Sequence, residues 1–137
     1  VFKEKLQENF IFYGWSKDPL SIMKTTDIYL SCSEAEGFPN SLIDAMSIGL
    51  PVIHTDCRTG PKEILGSVVF GNELYYKREF GITYSVGDVA AVTQAIKDFI
   101  DNKLDGHFYS MQSVSRVQEL SEIDSYGMYL DLLDFKC

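Results

Sequence analysis

Asp27-Ile28-Tyr29-Leu30-Ser31 opens a unit that runs through Ser33-Glu34-Ala35-Glu36-Gly37-Phe38-Pro39-Asn40 and Ser41-Leu42-Ile43-Asp44-Ala45-Met46-Ser47-Ile48 to Pro51-Val52-Ile53-His54-Thr55. The two outer runs are short, apolar and rich in β-branched or aromatic residues, which predicts strands over 27–31 and 51–55. Residues 41–48 carry a helical period and stop at Gly49, with Pro51 just beyond, the usual punctuation of a helix end. Strand, polar loop, helix and strand in that order build a parallel sheet whose faces are covered by helices.

The same alternation extends outward. Phe10-Ile11-Phe12-Tyr13 predicts a buried strand closed by Gly14, and a short helix over 20–24 follows the turn at Asp18-Pro19. Pro61 at a first helical position, with Glu63 in the first turn and Gly60 as cap, predicts a helix over 61–65. Val68-Val69-Phe70 fits a short strand, 75–80 a surface loop that includes Lys77 and Arg78, and 81–84 a further strand. Residues 89–102 form the clearest helix, with Val92, Ala95, Ile96 and Phe99 on one face. Helices over 108–120 and 124–135 close the chain. In the second of these, Tyr126, Tyr129, Leu130 and Leu133 make an apolar stripe suited to docking on the core.

The chain has 137 residues, 45% hydrophobic and 23% charged, with 20 acids against 12 bases and a formal net charge of −8. That is the composition of an ordinary globular domain, and its length fits one domain. The acidic balance argues against nucleic acid or an anionic membrane as the main partner, because both need a basic face. No apolar run approaches the roughly 20 residues that span a bilayer, and no signal-peptide pattern opens the chain. Cys32, Cys57 and Cys137 form an odd set without metal spacing, which favours neither disulfides nor zinc and points to a reducing cytosol. Residues 101–137 hold seven acids and three bases, a pattern that fits a solvated helical face. The first residue is Val1, and the charged stretch Lys3-Glu4-Lys5-Leu6-Gln7-Glu8 reads as the end of a helix begun elsewhere, as in a processed chain or a piece of something longer.

Ligands of parallel α/β sheets bind at the carboxyl ends of strands. The loop 33–40 lies at such an end and feeds a helix whose first N–H groups and dipole suit an anion. Glu36 and Asp44, with seven residues between them, stand on the loop and one turn into the helix. Both are placed to accept hydrogen bonds from sugar hydroxyls. Each also has a structural reading: Ser41 and Asp44 fit a capping box with Asp in place of Glu, and Glu36 fits a solvated loop acid. His54 and His107 read as packing or surface residues.

The whole run from Ser33 to Ile53 resembles the donor-binding signature of the retaining glycosyltransferases of family 4, enzymes with two Rossmann-like domains in the GT-B arrangement. Gly60-Pro61-Lys62-Glu63-Ile64-Leu65 is similar to the family's next loop and helix. Phe80-Gly81-Ile82 with Gly87-Asp88-Val89 resembles its glycine-strand-aspartate-helix stretch, and Phe10-Ile11-Phe12-Tyr13-Gly14 its preceding strand.

The resemblance implies an α/β fold: an incomplete Rossmann-like parallel sheet with flanking helices, residues 1–137 being part of the C-terminal GT-B domain. It implies that Glu36 contacts the transferred hexose, as the catalytic carboxylate of the motif. Gly37, Phe38, Pro39, Asn40, Ser41 and Leu42 would bind the donor near its hexose and diphosphate, and Asp44 the ribose, with one methylene less reach than the family's Glu. Gly14 and Trp15 would lie on the nucleobase side. The reaction implied is retaining transfer of a sugar from a nucleoside-diphosphate sugar to a glycan or lipid-linked acceptor in polysaccharide or glycoconjugate synthesis. No cofactor and no metal are expected, and no Asp-x-Asp motif is present. The family's basic residues for the diphosphate, its first two strands and its N-terminal acceptor domain would all precede Val1. This chain alone is therefore expected to be inactive. The parent is expected in the cytoplasm, with peripheral association at the inner membrane face. A noncatalytic Rossmann-like nucleotide-binding or interaction module, and an isomerase of the same fold, are the alternatives.

Overall fold

A computed structural model describes residues 6–71 and 74–121. In chain order its elements are α1 (Pro19–Met23), β1 (Tyr29–Ser31), α2 (Asn40–Ser47), β2 (Val52–Thr55), α3 (Pro61–Leu65), β3 (Val68–Gly71), β4 (Tyr75–Arg78), β5 (Ile82–Tyr84), α4 (Val89–Ile100) and α5 (Gly106–Ser121). The five strands form one sheet of order β1-β2-β5-β4-β3. β1, β2 and β5 run parallel, Ser31 facing His54 and His54 facing Thr83 in register. β4 is antiparallel to β5, and β3 is antiparallel to β4.

Local chemistry explains most of these elements. The Asp18 side chain caps α1 by accepting from the Ser21 N–H, and Asp88 caps α4 by accepting from Ala91. α2 ends in a Schellman motif: Gly49, at φ +77°, donates to Met46 O and Leu50 donates to Ala45 O. β2 is buried along its whole length, and successive residues face opposite sides of the sheet. Val52 joins Leu42, Ala45, Met46, Leu50, Ile64 and Leu65 under α2 and α3. Ile53 joins Ile82, Tyr84, Ala91, Ala95 and Phe99 under α4. Each fully buried Val, Leu, Ile or Met among them contributes about 1.5–3 kcal/mol. α5 closes the α2 face, with Ser113 donating to Leu50 O and Arg116 to the carbonyls of Glu63 and Ile64.

Four expectations are corrected. The sheet is mixed rather than parallel throughout, because 68–84 folds as two antiparallel connections. Residues 75–80 are not a surface loop: 75–78 are β4, with Tyr75 and Arg78 buried. Residues 10–13 are not a buried strand; they pair with no strand among the described residues, and Ile11 and Phe12 are each 75% exposed. An apolar run becomes a buried strand only where neighbours supply ladder partners. Ser41 does not cap α2, since the helix starts at Asn40 with Pro39 as N-cap and no side-chain cap. The helix end expected at 3–8 is met, within the described residues, only by a 3-10 turn at Gln7–Asn9. The helix over 124–135 and its apolar stripe lie outside the described residues. Among those described, no helix is long and apolar enough to cross a membrane.

Candidate functional site

The parallel strands β1, β2 and β5 bring three loops to one edge of the sheet: 32–39, 56–60 and 85–88. The first two are bound to each other. The Thr55 hydroxyl donates to Ser33 O, and the Cys57 thiol donates to the same oxygen at 3.1 Å. Thr59 Oγ1 donates to Glu36 O at 2.8 Å. Gly60, at φ +84°, lies so close that a Cβ there would collide with Gly37 O and meet Pro39 Cδ at 2.9 Å. From the third strand, the Tyr84 hydroxyl donates to Ser31 O at 3.0 Å. Burial first, then the hydrogen bond with Cys32, pushes this phenol up, so it stays a neutral donor.

These contacts fix the entrance to α2. Leu42 and Ile43 donate to Pro39 O. The Asn40 and Ser41 N–H groups, with no hydrogen bond among the described residues, remain at the helix mouth. Two half-buried carboxylates flank it, Glu36 on the loop and Asp44 one turn along. Neither carboxylate has a hydrogen-bond partner among the described residues. Unbonded amide donors and the positive end of a helix dipole beside two acceptor groups suit a ligand with both anionic and hydroxyl parts.

The structure gathers Glu36, Gly37, Phe38, Pro39, Asn40, Ser41 and Asp44 around this one helix mouth, but their availability differs. Gly37, Phe38 and Asn40 are exposed, whereas Pro39 is buried. Leu42 is fully buried in the core, so its side chain serves packing. The Ser41 hydroxyl lies 2.8 Å from the Tyr29 hydroxyl, which ties the helix start to β1. Gly14 and Trp15 do not enter this hydrogen-bond network; Trp15 is 83% exposed. Arg78, expected on a loop surface, is buried and turned inward to Thr83 Oγ1, Gly66 O and Asp56. Lys62 also binds Asp56, at 3.2 Å. Arg58 is exposed on the loop after β2. Among the described residues, no three His, Cys, Asp or Glu side chains cluster in a way that would hold a metal ion.

Sequence reading misses Thr55 and Thr59, and gives Gly60 only a capping role. Their contacts cross more than twenty residues of chain, and no local pattern marks them. His54, read as a packing residue, is fully buried with Nε2 unpartnered among the described residues.

An open α/β sheet with an uncapped helix mouth at the carboxyl edge of its parallel strands defines the class: a Rossmann-like α/β unit. The family model described as Glycosyl transferases group 1 matches residues 1–102, and the chain belongs to that family. An uncharacterized glycosyltransferase of Methanocaldococcus jannaschii is 46% identical over 65 residues, 47% of this chain and 16% of that protein. The lipopolysaccharide 1,6-galactosyltransferase of Salmonella typhimurium is 36% identical over 74 residues, 51% of this chain and 20% of that protein. Among solved structures, a mutant of S. aureus TarM in complex with fondaparinux, alpha-GlcNAc-glycerol and UDP superposes with TM-score 0.76 at 16% identity, over 98% of this chain and 25% of that one. The fold is thus that of a piece of a GT-B glycosyltransferase, and the chain spans a quarter or less of the length of these proteins.

Proposed function

We propose that this chain forms part of the donor-binding domain of a retaining hexosyltransferase. The full-length protein would move a sugar from a nucleoside diphosphate to a glycan or lipid-linked acceptor. The observation that carries this reading is the mouth of α2, with the Asn40 and Ser41 N–H groups open and Glu36 and Asp44 beside them. In this reading Glu36 accepts hydrogen bonds from the transferred hexose, and Asp44 from the ribose. Gly37, Phe38 and Asn40 approach the hexose and diphosphate, while Gly14 and Trp15 lie toward the base. The departing diphosphate gathers negative charge, and preorganised N–H donors stabilise it without reorganising. Basic side chains from a preceding segment would complete that cradle, and no metal is required. A cytoplasmic enzyme acting at the inner membrane face fits the lipopolysaccharide for which the Salmonella relative is named and the UDP held in the TarM complex.

The test is transfer from radiolabelled UDP-galactose by the full-length protein and by the 137-residue chain. Turnover is expected only in the former, with retained anomeric configuration. Inverted product, or equal turnover by the chain alone, contradicts the reading. One observation favours a purely binding role for the chain by itself: Arg78 and Lys62 are committed to Asp56. In that case UDP binds weakly and no sugar moves.

A further inference from the structure

Arg58 is the one basic residue on the three loops at the ligand edge of the sheet, 32–39, 56–60 and 85–88. The cations nearest to it in the network below are taken: the Arg78 guanidinium and the Lys62 ammonium both hold Asp56, at 2.9 and 3.2 Å. Arg58 is exposed and makes no hydrogen bond or ion pair among the described residues, although Glu34 and Glu36 stand on the adjoining loop. An exposed ion pair adds little stability, so leaving this guanidinium free costs the fold almost nothing.

The place of Arg58 is fixed from both sides. Cys57, before it, donates to Ser33 O at 3.1 Å, and Thr59, after it, donates to Glu36 O at 2.8 Å. Gly60 then packs against Gly37. Consecutive Cα atoms lie about 3.8 Å apart, so the Arg58 backbone runs alongside residues 33–37 whichever rotamer its side chain adopts. In the proposed donor site those residues, with Glu36, form the hexose end. The diphosphate end is the mouth of α2 at Asn40 and Ser41, and the ribose end is Asp44, one turn further. The carboxylates of Glu34 and Glu36 repel an anion at the hexose end, whereas the guanidinium rooted there attracts one. Its planar fork matches a carboxylate or a phosphate through two parallel hydrogen bonds.

We infer that Arg58 is a specificity-determining residue, selecting an anionic oxygen group carried at the hexose end of the site. Two substrates can bring that group there: a donor whose sugar is a uronic acid, or an acceptor phosphorylated next to its reacting hydroxyl. A neutral sugar and a neutral acceptor leave the guanidinium without a partner. The inference rests on the proposed donor site, because Glu36 defines the hexose end. Arg58 makes and breaks no covalent bond; it binds the anion and orients the molecule that carries it.

Calorimetry on the full-length protein tests this, with UDP, UDP-galactose, UDP-galacturonate and methyl phosphate as probes. If the donor sugar carries the anion, UDP-galacturonate binds about tenfold or more tighter than UDP-galactose, the scale of one charge-assisted pair. If the acceptor carries it, the two donors bind alike and methyl phosphate binds to protein already saturated with UDP. In either case Arg58→Gln removes the effect. Arg58→Lys restores only part of it, because an ammonium lacks the fork. Both variants are expected to keep the urea midpoint and the affinity for UDP. An effect that survives Arg58→Gln, or neither effect in the unmodified protein, overturns the inference and leaves the donor reading standing. Weaker UDP binding in Arg58→Gln also overturns it, by placing the guanidinium at the diphosphate. Absence of UDP binding to the unmodified protein refutes the donor reading, and the inference falls with it.

Discussion

The Thr59 hydroxyl donates to the Glu36 carbonyl at 2.8 Å, and this bond ties the loop after β2 to the loop that carries the candidate hexose contact. The neighbouring Gly60 makes the tie steric as well as polar, because its bare Cα is all that fits against Gly37. Glu36 is therefore positioned from a loop distant in sequence rather than by its own.

Gly60→Ala should be among the most damaging single-methyl additions in the site. It forces a left-handed φ on a residue with Cβ and drives that Cβ into backbone atoms that cannot rotate away. Strain plus displacement is expected to cost about 1–3 kcal/mol and to weaken UDP-galactose binding. Gly87→Ala is the control, since it shares a positive φ of +80° but has open space around it. Urea denaturation should show the smaller loss for Gly87→Ala, with donor affinity retained. Equal effects at both positions would mean that the Gly60–Gly37 approach does not hold the site.

Glu36→Ala and Asp44→Ala in the full-length protein should each lower kcat/KM with little change in stability, because neither carboxylate has a hydrogen-bond partner among the described residues. For Glu36 the loss is expected to be about 100-fold or more, the scale of removing one preorganised contact to a reacting group. For Asp44 it should appear mainly in KM, since a ribose contact binds ground state and transition state alike. Asp44→Glu restores the reach of the family's second carboxylate and should bind donor at least as well as the unmodified protein. Near-normal kcat/KM in both alanine variants would make the motif structural.

How far sequence carries these conclusions differs from residue to residue. α2 and β2 are legible because their signals are local: a helical period stopped by Gly49, and an apolar run after Pro51. The loop 33–40 is legible because strand, glycine-containing loop and helix follow in order. β4 is not. Tyr75-Tyr76-Lys77-Arg78 offers no clean alternation, and the partners that make an arginine tolerable inside, Thr83, Asp56 and Gly66 O, are scattered along the chain. Residues 10–13 fail in the opposite sense. Their hydrophobicity states a preference for burial, but burial in a sheet needs adjacent strands, which no composition can report. A lone histidine in a strand, such as His54, carries no signal until its neighbours in space are known.

Arg78 yields a stability prediction. Its guanidinium donates to Thr83 Oγ1 at 2.8 Å, to Gly66 O at 2.8 Å and to Asp56 at 2.9 Å, in a site where only 8% of the side chain is exposed. Removing one partner of a buried pair strands the rest, and Arg78→Ala should cost about 3–5 kcal/mol. Arg78→Lys recovers little, because a point charge cannot serve three directions at once. Lys62→Ala, which touches the same Asp56 from a more exposed position, should cost under about 1 kcal/mol. Thermal or urea unfolding of the three variants gives the order. A Lys62 effect as large as that of Arg78 would contradict the assignment of the buried guanidinium as the organising group.

Asp98 gives the pH dependence of the fold. Its carboxylate accepts from the Tyr75 hydroxyl at 2.7 Å, from Gln94 Nε2 at 2.9 Å and from Lys103 Nζ at 3.3 Å. The Tyr75 bond first, with Gln94 and Lys103 adding to it against burial, holds its pKa below the ordinary 3.8. The folded state thus takes up this proton less readily than the unfolded chain. Its contribution is complete above the ordinary carboxylate range and is lost as pH falls through the depressed folded value. Asp98→Asn keeps the shape and one acceptor oxygen for Tyr75, and should cost about 1–2 kcal/mol at neutral pH. That cost should shrink as pH falls below about 5 and on through the depressed folded value, where the unmodified carboxyl becomes neutral as well. Lys103 is largely exposed, so salt should screen its share and leave the Tyr75 share intact. Urea midpoints of both proteins across this range, at low and high salt, decide it: a gap that stays constant as pH falls would remove Asp98 from the acid response.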